Sequence, residues 1–405
     1  MPSVLFVYNA SADSLPVLMS NAIVKNNSDE AFRIIHKIIE TAHENNYACG
    51  NLWHNYLTHF ILSNENIFSL ASERRSSPTG SLKELVLHDF EIFMQLYRQL
   101  HDSIAYVSDF KGSCDGKSLI CDYAAKLANA GTPEEFFEYV SDFYKNFGIG
   151  MFALNKAFRL GTNTIIPVAN KNVGDIKLKD IVGYGIQKDE LKKNTEAFLN
   201  GLPANNVLLY GDGGTGKSTS IKALLNEYFS RGLRVVEIYK HQFKEILKLT
   251  GTLRKRNYKF IIFIDDLSFE NDESEYKYLK AVIEGGIETR PDNVLIYATS
   301  NRRHLIREVW SDRDDMEHNG DIHRSDTVEE KLSLASRFGI AINYSAPTRD
   351  EYHEIVLKLA EKSGLIFNRD ELLKAADKWE LRHGGKSGRA ARQFVDYNLG
   401  MKQEK

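Results

Sequence analysis

The sequence lacks the features that place a chain in or across a membrane. No apolar run among its 405 residues approaches the roughly 20 residues that a bilayer-spanning helix needs. Met1, Pro2 and Ser3 carry no basic side chain, and the apolar stretch 4–8 that follows is too short for a signal peptide. We therefore expect a cytoplasmic protein without a membrane span.

The net charge is small and cysteines are few, which argues against several further classes of protein. Lys and Arg number 52 and Asp and Glu 55, so the net charge of −3 gives no overall attraction to nucleic acid or to an anionic membrane. Three cysteines without a CxxC pair argue against a disulfide scaffold. His318 and His323 lie among acidic residues at a spacing that suits no standard zinc site. We interpret their stretch as a mobile charged loop, with metal binding as the alternative.

The first part of the chain, residues 1–170, predicts a helical N-terminal domain. After Ser28, a candidate N-cap, apolar side chains recur at helical spacing. Thr132, Pro133 and Glu135 predict another helix start, with threonine as N-cap, proline at the first helical position and a capping box. Aromatic residues crowd the stretch 136–158. Packing in a helical core is the favoured interpretation, and a partner-binding face is the alternative.

From residue 171 the pattern changes to short apolar strands that alternate with helices. Strands are predicted at NNVLLYG, LRVVEI, KFIIFID, NVLIYAT and IAINY. This alternation predicts an α/β domain over residues 171–346, with a parallel sheet covered by helices on both faces. A linker rich in Gly, Asn and Lys leads into it. Thr348 and Glu351 form a capping box that opens a C-terminal helical lid subdomain over residues 347–405.

The segment GDGGTGKS, residues 211–218, matches the complete phosphate-binding pattern G-x-x-x-x-G-K-[ST] between a predicted strand and a predicted helix. Its glycines let successive backbone N–H groups turn inward around an anion, and the start of the helix adds positive potential. Lys217 can reach the β- and γ-phosphates of a nucleotide, and the Ser218 hydroxyl can ligate Mg²⁺. The pattern therefore predicts a P-loop NTPase fold. The predicted nucleotide contacts here are Gly211, Asp212, Gly213, Gly214, Thr215, Gly216, Lys217, Ser218 and Thr219.

A bound Mg²⁺ needs a carboxylate, and the apolar strand before residue 265 ends in Asp265 and Asp266. We expect Asp265 to hold the metal, directly or through water, and Asp266 to orient or deprotonate an attacking water. Thr299, Ser300 and Asn301 end the next predicted strand. From there a polar side chain could reach the γ-phosphate or its water.

Two arginines are candidates for stabilising charge on a transferred phosphate. Arg337 stands just before the last predicted strand, where it is either a surface residue or acts in the site of a neighbouring subunit. Arg389 opens the final predicted helix and could fold over the phosphates, with Arg392 one turn further on.

Taken together, these segments resemble an AAA+ ATPase. The resemblance implies a Walker A motif at 211–218, a Walker B motif at 261–266, sensor 1 at Asn301, an arginine finger at Arg337 and sensor 2 at Arg389. It also implies that Ile181, Val182 and Gly183 flank the adenine. More narrowly, DDLSFE, YATSNRRHL and SGRAARQF resemble a bacterial AAA+ group catalogued as domain of unknown function 815. The likeness covers residues 175 to 400.

One residue departs from the superfamily pattern. Most AAA+ proteins have Asp-Glu at the end of Walker B, whereas this chain has Asp265-Asp266. Aspartate is one methylene shorter, so water activation could be slower or need another carboxylate. Glu270 is near in sequence, but a solvated charge at a helix start is the favoured interpretation for it.

The functional expectation is a Mg-dependent, ATP-binding AAA+ protein. It would hydrolyse ATP at the subunit interfaces of a homo-oligomer and so remodel a macromolecular client, with protein favoured over nucleic acid. The main alternative is an ATP-gated switch with negligible turnover, and a P-loop kinase is a weaker one. Arg254, Lys255 and Arg256 form a cationic cluster that a solvated helix end explains, with nucleic-acid contact as the alternative. The expected ligands are ATP and Mg²⁺.

Overall fold

The computed structural model divides into two compact units, Met1–Leu154 and Asn155–Lys405. It describes residues 5–8, 28–45, 47–74, 78–98, 107–112, 119–162, 164–269, 275–284, 291–301 and 334–402. Within this described part, no helix combines the length and the apolar character that crossing a bilayer requires.

The described part of the first unit is helical, as the sequence predicts. Its helices are α1 (Ser28–Glu44), α2 (Leu52–Ser63), α3 (Ile67–Glu73), α4 (Ser81–Arg98), α5 (Leu119–Ala128), α6 (Pro133–Phe147) and α7 (Gly150–Leu154). Aromatic side chains fill the core between α3, α4 and α6, where Phe68, Phe90 and Phe136 are fully buried. The rings of Phe90 and Phe136 lie 4.9 Å apart, within the range of favourable aromatic pairs. Core packing therefore accounts for the aromatic crowding in the sequence.

Helix α6 begins where the sequence predicts, with one difference in its cap. Thr132 accepts a hydrogen bond from the Glu135 N–H at 3.2 Å, and Pro133 occupies the first turn. Glu135 does not complete a capping box on Thr132. Its carboxylate instead accepts from the Gly131 N–H at 2.8 Å, one residue earlier along the backbone.

A buried carboxylate fastens the segment 5–8 to α4. The side chain of Asp89 is fully buried and accepts hydrogen bonds from three successive backbone N–H groups, those of Phe6, Val7 and Tyr8, at 2.8 to 3.0 Å. Because a buried charge is stable only when it is well hydrogen-bonded, the three donors and the carboxylate depend on one another.

Removing this carboxylate should destabilise the first unit. We expect Asp89→Ala to lower its free energy of unfolding by about 3 kcal/mol, since three backbone donors, one of them fully buried, lose their shared acceptor. Urea denaturation of the full chain measures the change. Glu91→Ala, which removes an exposed carboxylate from the same helix, is the control and should change the value by under about 0.5 kcal/mol. Equal stability of the two variants would contradict this account.

The second unit is built on a 7-stranded sheet with the order β2-β1-β4-β5-β6-β3-β7. The strands are β1 (Ala157–Leu160), β2 (Ile165–Val168), β3 (Val207–Gly211), β4 (Leu233–Ile238), β5 (Lys259–Ile264), β6 (Val294–Ser300) and β7 (Ile340–Tyr344). All pairs of these strands are parallel except β1 with β2. Every residue of β6 is buried, as expected for a strand covered on both faces.

Helices connect and cover these strands. The α-helices are α8 (Asn170–Val173), α9 (Gly185–Leu199), α10 (Lys217–Tyr228), α11 (Ile246–Leu253) and α12 (Tyr276–Glu284), and short 3-10 helices span Leu178–Asp180, Phe229–Arg231 and Lys240–Glu245. The predicted α/β fold class is confirmed, and the five strands predicted from the sequence are β3 to β7.

The sheet begins earlier along the chain than the sequence indicates. Strands β1 and β2 form an edge hairpin within the stretch assigned to the helical domain and its linker, and the two compact units divide after Leu154 rather than near residue 170. The hairpin is short, its turn contains Gly161, and Pro167 lies on the edge strand β2. Such a segment lacks clear alternation, and its place depends on pairing with β4, which is distant in sequence.

Three helices follow the sheet: α13 (Arg349–Lys362), α14 (Arg369–Arg382) and α15 (Gly388–Lys402). They share one apolar core, in which Tyr352, Ala376 and Phe394 are buried, and Val182 packs against it. Thr348 and Glu351 form the predicted capping box at the start of α13, with both reciprocal hydrogen bonds present. We call these three helices the lid.

Candidate functional site

A cavity of about 690 Å³ lies at the carboxyl ends of β3, β5 and β6, and the lid lines one side of it. Because the strands are parallel, the residues that follow them meet at this one edge of the sheet. The lining residues are Ile176, Asp180, Ile181, Val182, Tyr184, Gly213, Gly214, Thr215, Gly216, Lys217, Ser218, Thr219, Asp265, Asp266, Thr299, Asn301, Ile355, Leu359, Lys362, Gly388, Arg389 and Arg392. A cavity of this size is typical for a small-molecule ligand.

The loop between β3 and α10 wraps the floor of this cavity. Gly211, Gly214 and Gly216 have φ angles of 127°, 74° and 97°, a region in which residues with a Cβ atom are strained. At Gly211 the close approach of the backbone also requires glycine, because a Cβ atom would lie 2.3 Å from the Tyr344 carbonyl oxygen. The sequence of the loop therefore fixes a backbone that only glycines permit.

Lys217 is held inside the loop that carries it. Its Nζ donates to the carbonyl oxygens of Gly211 at 2.8 Å and Asp212 at 2.6 Å, and to Oδ1 of Asn301 at 3.1 Å. Burial lowers the pKa of the ammonium group, while the nearby carboxylates of Asp212, Asp266 and Asp265 oppose this shift. An anion that enters the cavity would meet a cation already positioned at its floor.

The residues predicted to hold a metal are in direct contact. The Ser218 hydroxyl donates to Oδ1 of Asp265 at 2.6 Å, and the Thr299 hydroxyl donates to the same oxygen at 2.6 Å. These are hard oxygen ligands of the kind that Mg²⁺ prefers. Among the described residues no group of three or more His, Cys, Asp or Glu side chains could hold a metal by itself. Two protein ligands fit Mg²⁺, which usually keeps its waters and binds substrate phosphates.

Asp266 adopts a left-handed backbone conformation, with a φ of 52°. Its N–H donates to the Thr299 hydroxyl at 2.9 Å, and its Oδ1 accepts from Nδ2 of Asn301 at 2.8 Å. Thr299 is 2% exposed, so it anchors this network in the sheet, while the side chains of Asp266 and Asn301 are exposed to the cavity. Aspartate and asparagine tolerate the left-handed region better than other side chains, at a cost of about 1 kcal/mol. The backbone here thus gives a physical reason for aspartate at the position where most AAA+ proteins have glutamate.

The other end of the cavity is apolar and carries a charged rim. Ile176, Ile355 and Leu359 line it together with Ile181 and Val182, the residues predicted to flank adenine. At the rim, Lys362 of α13 donates to Oδ1 of Asp180 at 3.0 Å. Hydrogen bonds from the Lys177 N–H and from Lys362 lower the pKa of the Asp180 carboxyl.

The segment beside this apolar end is shaped by backbone geometry. Gly183 and Tyr184 both have positive φ, 75° and 55°. A tyrosine in this region is a true outlier, and its ring is held by stacking on Tyr344 with centroids 4.9 Å apart. The Ile181 carbonyl accepts from Nζ of Lys188 at 2.7 Å.

Of the two candidate arginines, Arg389 lines the cavity and Arg337 lies elsewhere. Arg389 begins α15 above the phosphate loop, and its N–H donates to the Gly214 carbonyl at 3.2 Å; Arg392 also lines the cavity. Arg337 precedes β7 and so lies at the amino ends of the parallel strands, whereas the cavity lies at their carboxyl ends. It is not a lining residue. Gly183, Gly211 and Asp212 support the lining without being part of it. Glu270, His318 and His323 fall outside the described residues.

Sequence reasoning missed several residues of this site. They are Asp180, Tyr184, Lys188, Ile355, Leu359 and Lys362. Asp180 and Lys362 are 182 positions apart in the chain, so their contact depends on how the lid docks. No local motif marks such a pair. The sequence places Thr299 among polar residues that could reach the γ-phosphate or its water, but does not reveal that its hydroxyl hydrogen-bonds both acidic residues.

Thr299 should support ligand binding through the two aspartates. We expect Thr299→Val to weaken binding of a magnesium–nucleotide complex by about 10- to 100-fold, because Asp265 and Asp266 lose the hydroxyl that orients them. Isothermal titration with Mg-ADP measures this. Thr299→Ser keeps the hydroxyl and should remain within about threefold of wild type. Wild-type affinity in the valine variant would show that Thr299 has no such role.

Comparison with known proteins places the second unit in a family. Residues 153–402 match the family described as protein of unknown function (DUF815). Proteasome-activating nucleotidases from two strains of Methanococcus maripaludis are 28% identical over 211 residues, which are 47% of this chain and 48% of each relative. The chain therefore spans about half the length of the curated relatives it matches.

Solved structures give a weaker match. The Holliday junction branch migration motor RuvB of Thermotoga maritima is 17% identical, with 56% of this chain and 71% of that chain covered at a TM-score of 0.34. The assignment thus stands on the match over 153–402, on the sheet order and on the motifs at the cavity. The resemblance to AAA+ ATPases is confirmed, and this chain belongs to the family described as protein of unknown function (DUF815).

Proposed function

We propose that this chain binds ATP with Mg²⁺ in the cavity and hydrolyses it. The observation that carries this is the convergence of Lys217, Ser218, Asp265, Asp266 and Asn301 around one cavity of about 690 Å³. The glycine-rich loop supplies backbone N–H groups for phosphates, and the apolar end bounded by Ile181 and Val182 suits a base. The similarity to nucleotidases supports the same assignment.

Each residue then has a chemical task. Lys217 would bind the β- and γ-phosphates, and Ser218 and Asp265 would hold Mg²⁺, which would neutralise charge on the phosphate oxygens. Asp266 orients the attacking water and accepts its proton, and Asn301, which lies 2.8 Å from that carboxylate, helps to position the water. Arg389, at the start of α15, binds the phosphates from the side of the lid.

A nucleotide-gated switch with negligible turnover is the second candidate. It is favoured by the hydrogen bond from the Asn301 amide to the Asp266 carboxylate, because an oxygen that accepts this bond is less available to accept a proton from water. It is also favoured by the shorter reach of aspartate. ATP would then stabilise one conformation without being consumed.

Replacing the proposed base distinguishes the two candidates. We expect Asp266→Asn to lower the rate of phosphate release by about 100-fold or more while ATP still binds, since positioned general bases contribute 10²–10⁴ in rate. Asparagine tolerates the same backbone conformation, so the fold should be retained. Steady-state phosphate release and ATP titration measure the two effects. Equal near-zero rates in wild type and variant would support the switch instead.

We further propose that hydrolysis takes place between subunits of a homo-oligomer. Arg337 stands before β7, whose five residues separate it from the cavity edge by about 16 Å at 3.3 Å per residue. It is therefore too far along the sheet to reach phosphates in its own subunit. A neighbouring subunit packed against this edge would receive its guanidinium at a developing phosphate charge.

Arg337→Ala tests this arrangement. The variant should bind ATP normally but release phosphate about 10³-fold more slowly, because arginine fingers contribute 10³–10⁵ in rate. Specific activity of the wild type should also rise with protein concentration as subunits associate. Arg369→Ala removes an exposed arginine of the lid and is the matched control. Unchanged activity and concentration dependence in Arg337→Ala would contradict a shared site.

The client that we propose is a protein, remodelled in the cytoplasm. The name of the Methanococcus relatives, proteasome-activating nucleotidase, favours a protein over a nucleic acid. The cationic cluster offers less support for nucleic acid. Arg254 and Lys255 are exposed just after α11, where they also neutralise the negative end of that helix.

A further inference from the structure

In one peptide unit between the sheet and the lid, both the carbonyl and the N–H form hydrogen bonds to side chains. The Ser345 carbonyl accepts a hydrogen bond from the hydroxyl of Tyr184 at 2.8 Å. The N–H of the same peptide unit, which belongs to Ala346, donates to Oδ2 of Asp212 at 2.7 Å. Neither contact is part of regular secondary structure, and both partners lie far from residues 345–346 in the sequence.

This peptide bond lies at the point where the chain leaves the sheet for the lid. Strand β7 ends at Tyr344, and α13 begins after its N-cap Thr348. Pro347 restricts the backbone of Ala346 and has no N–H of its own. In so short and stiff a connection, the orientation of the 345–346 peptide determines the direction in which α13 departs.

Of the two residues that hold the peptide, Tyr184 lines the nucleotide cavity and Asp212 lies directly behind its lining, in the phosphate loop. Tyr184 lines the cavity at its apolar end, two residues after Val182. Asp212 belongs to the phosphate loop, and its own carbonyl accepts from Nζ of Lys217 at 2.6 Å and from the Thr215 hydroxyl at 2.8 Å. A phosphate that binds Lys217 competes directly for the contact with Asp212.

The strained backbone of Tyr184 also links the cavity to the connection between the sheet and the lid. Its φ of 55° is kept by the stacking on Tyr344 and by the bond to Ser345, both of which belong to the path into the lid. Burial raises the pKa of the Tyr184 hydroxyl to about 12, so it remains a proton donor near neutral pH.

We propose that Tyr184 and Asp212 are positioning residues that transmit nucleotide occupancy to the lid through the Ser345–Ala346 peptide bond. The inference rests on the proposed function, because it requires a nucleotide in the cavity. A base at the apolar end repositions Tyr184, and phosphates on Lys217 release the carbonyl of Asp212. The peptide then turns, and α13 carries the lid, including Arg389, toward the phosphates.

Amide hydrogen exchange of the full chain measures both ends of this connection. The Ala346 N–H reports on the hold of Asp212, and the Arg389 N–H, which donates to Gly214, reports on docking of the lid. Both are followed by mass spectrometry with and without Mg-ADP, at nucleotide concentrations that titration shows to saturate each variant. In wild type, Mg-ADP should slow exchange at Arg389 by about tenfold.

Removing either contact should uncouple the two ends. In Tyr184→Phe, which keeps the ring stacking but loses the hydroxyl, and in Asp212→Ala, saturating Mg-ADP should change Arg389 exchange by less than about twofold. Asp212→Asn keeps an oxygen acceptor for the Ala346 N–H and should restore most of the wild-type response. If Asp212→Ala fails to fold, as judged by circular dichroism, Tyr184→Phe and Asp212→Asn carry the test.

Gln187→Ala is the matched control. Gln187 lies in the first turn of α9, three residues after Tyr184, and donates to the Asn343 carbonyl at 3.1 Å. It therefore binds backbone close to residues 345–346, but within β7. Its response to Mg-ADP should equal that of wild type. Slowing at Arg389 that is equal in wild type, Tyr184→Phe and Asp212→Ala would overturn this inference and leave the proposed function intact. Failure of wild type to bind Mg-ADP or Mg-ATP would overturn both.

Discussion

The parallel pairing of β3 between β6 and β7 is the constraint on which the rest of the second unit depends. In this register Tyr210 lies opposite Ser300, and Gly211 lies opposite Tyr344. The phosphate loop therefore begins beside Asn301 on one side and beside the path to the lid on the other. A shift by one residue would turn every buried side chain of β3 to the other face, so the hydrophobic core enforces the register. The geometry of the site follows from the packing of the sheet.

At the cavity, polar side chains hydrogen-bond to one another, and a bound ligand could replace these hydrogen bonds with its own. Lys217 donates hydrogen bonds to carbonyl oxygens of its own loop, and Ser218 donates to Asp265. Asn301 accepts from Lys217 and donates to Asp266. Each of these groups is a donor or acceptor that a phosphate, a metal or a water could take over. Thr299 differs, because it is buried in β6, where its hydroxyl donates to the Asp265 carboxylate and accepts from the Asp266 N–H. We infer that it stays in place while its neighbours exchange partners.

The sequence predicted the parts of the fold that local patterns encode. Strands β3 to β7 are short apolar runs with clear boundaries, and the Thr348–Glu351 capping box marks the start of the lid. The hairpin of β1 and β2 could not be found this way, because each strand is only four residues long, Pro167 interrupts β2, and the place of β1 depends on pairing with β4. The same distinction holds at the site. The phosphate loop and the acidic pair are visible as motifs, whereas Tyr184 and Lys362 reach the cavity only through tertiary contacts.

The most direct test of the account is the number of phosphates that each purified chain releases from ATP in the presence of Mg²⁺. The account predicts sustained release of many phosphates per chain, dependent on Mg²⁺ and absent when Lys217 is replaced by alanine. Binding of ATP without release above the level of the Lys217→Ala protein, at any protein concentration, would contradict hydrolysis. It would leave a nucleotide-gated switch as the function of this cavity.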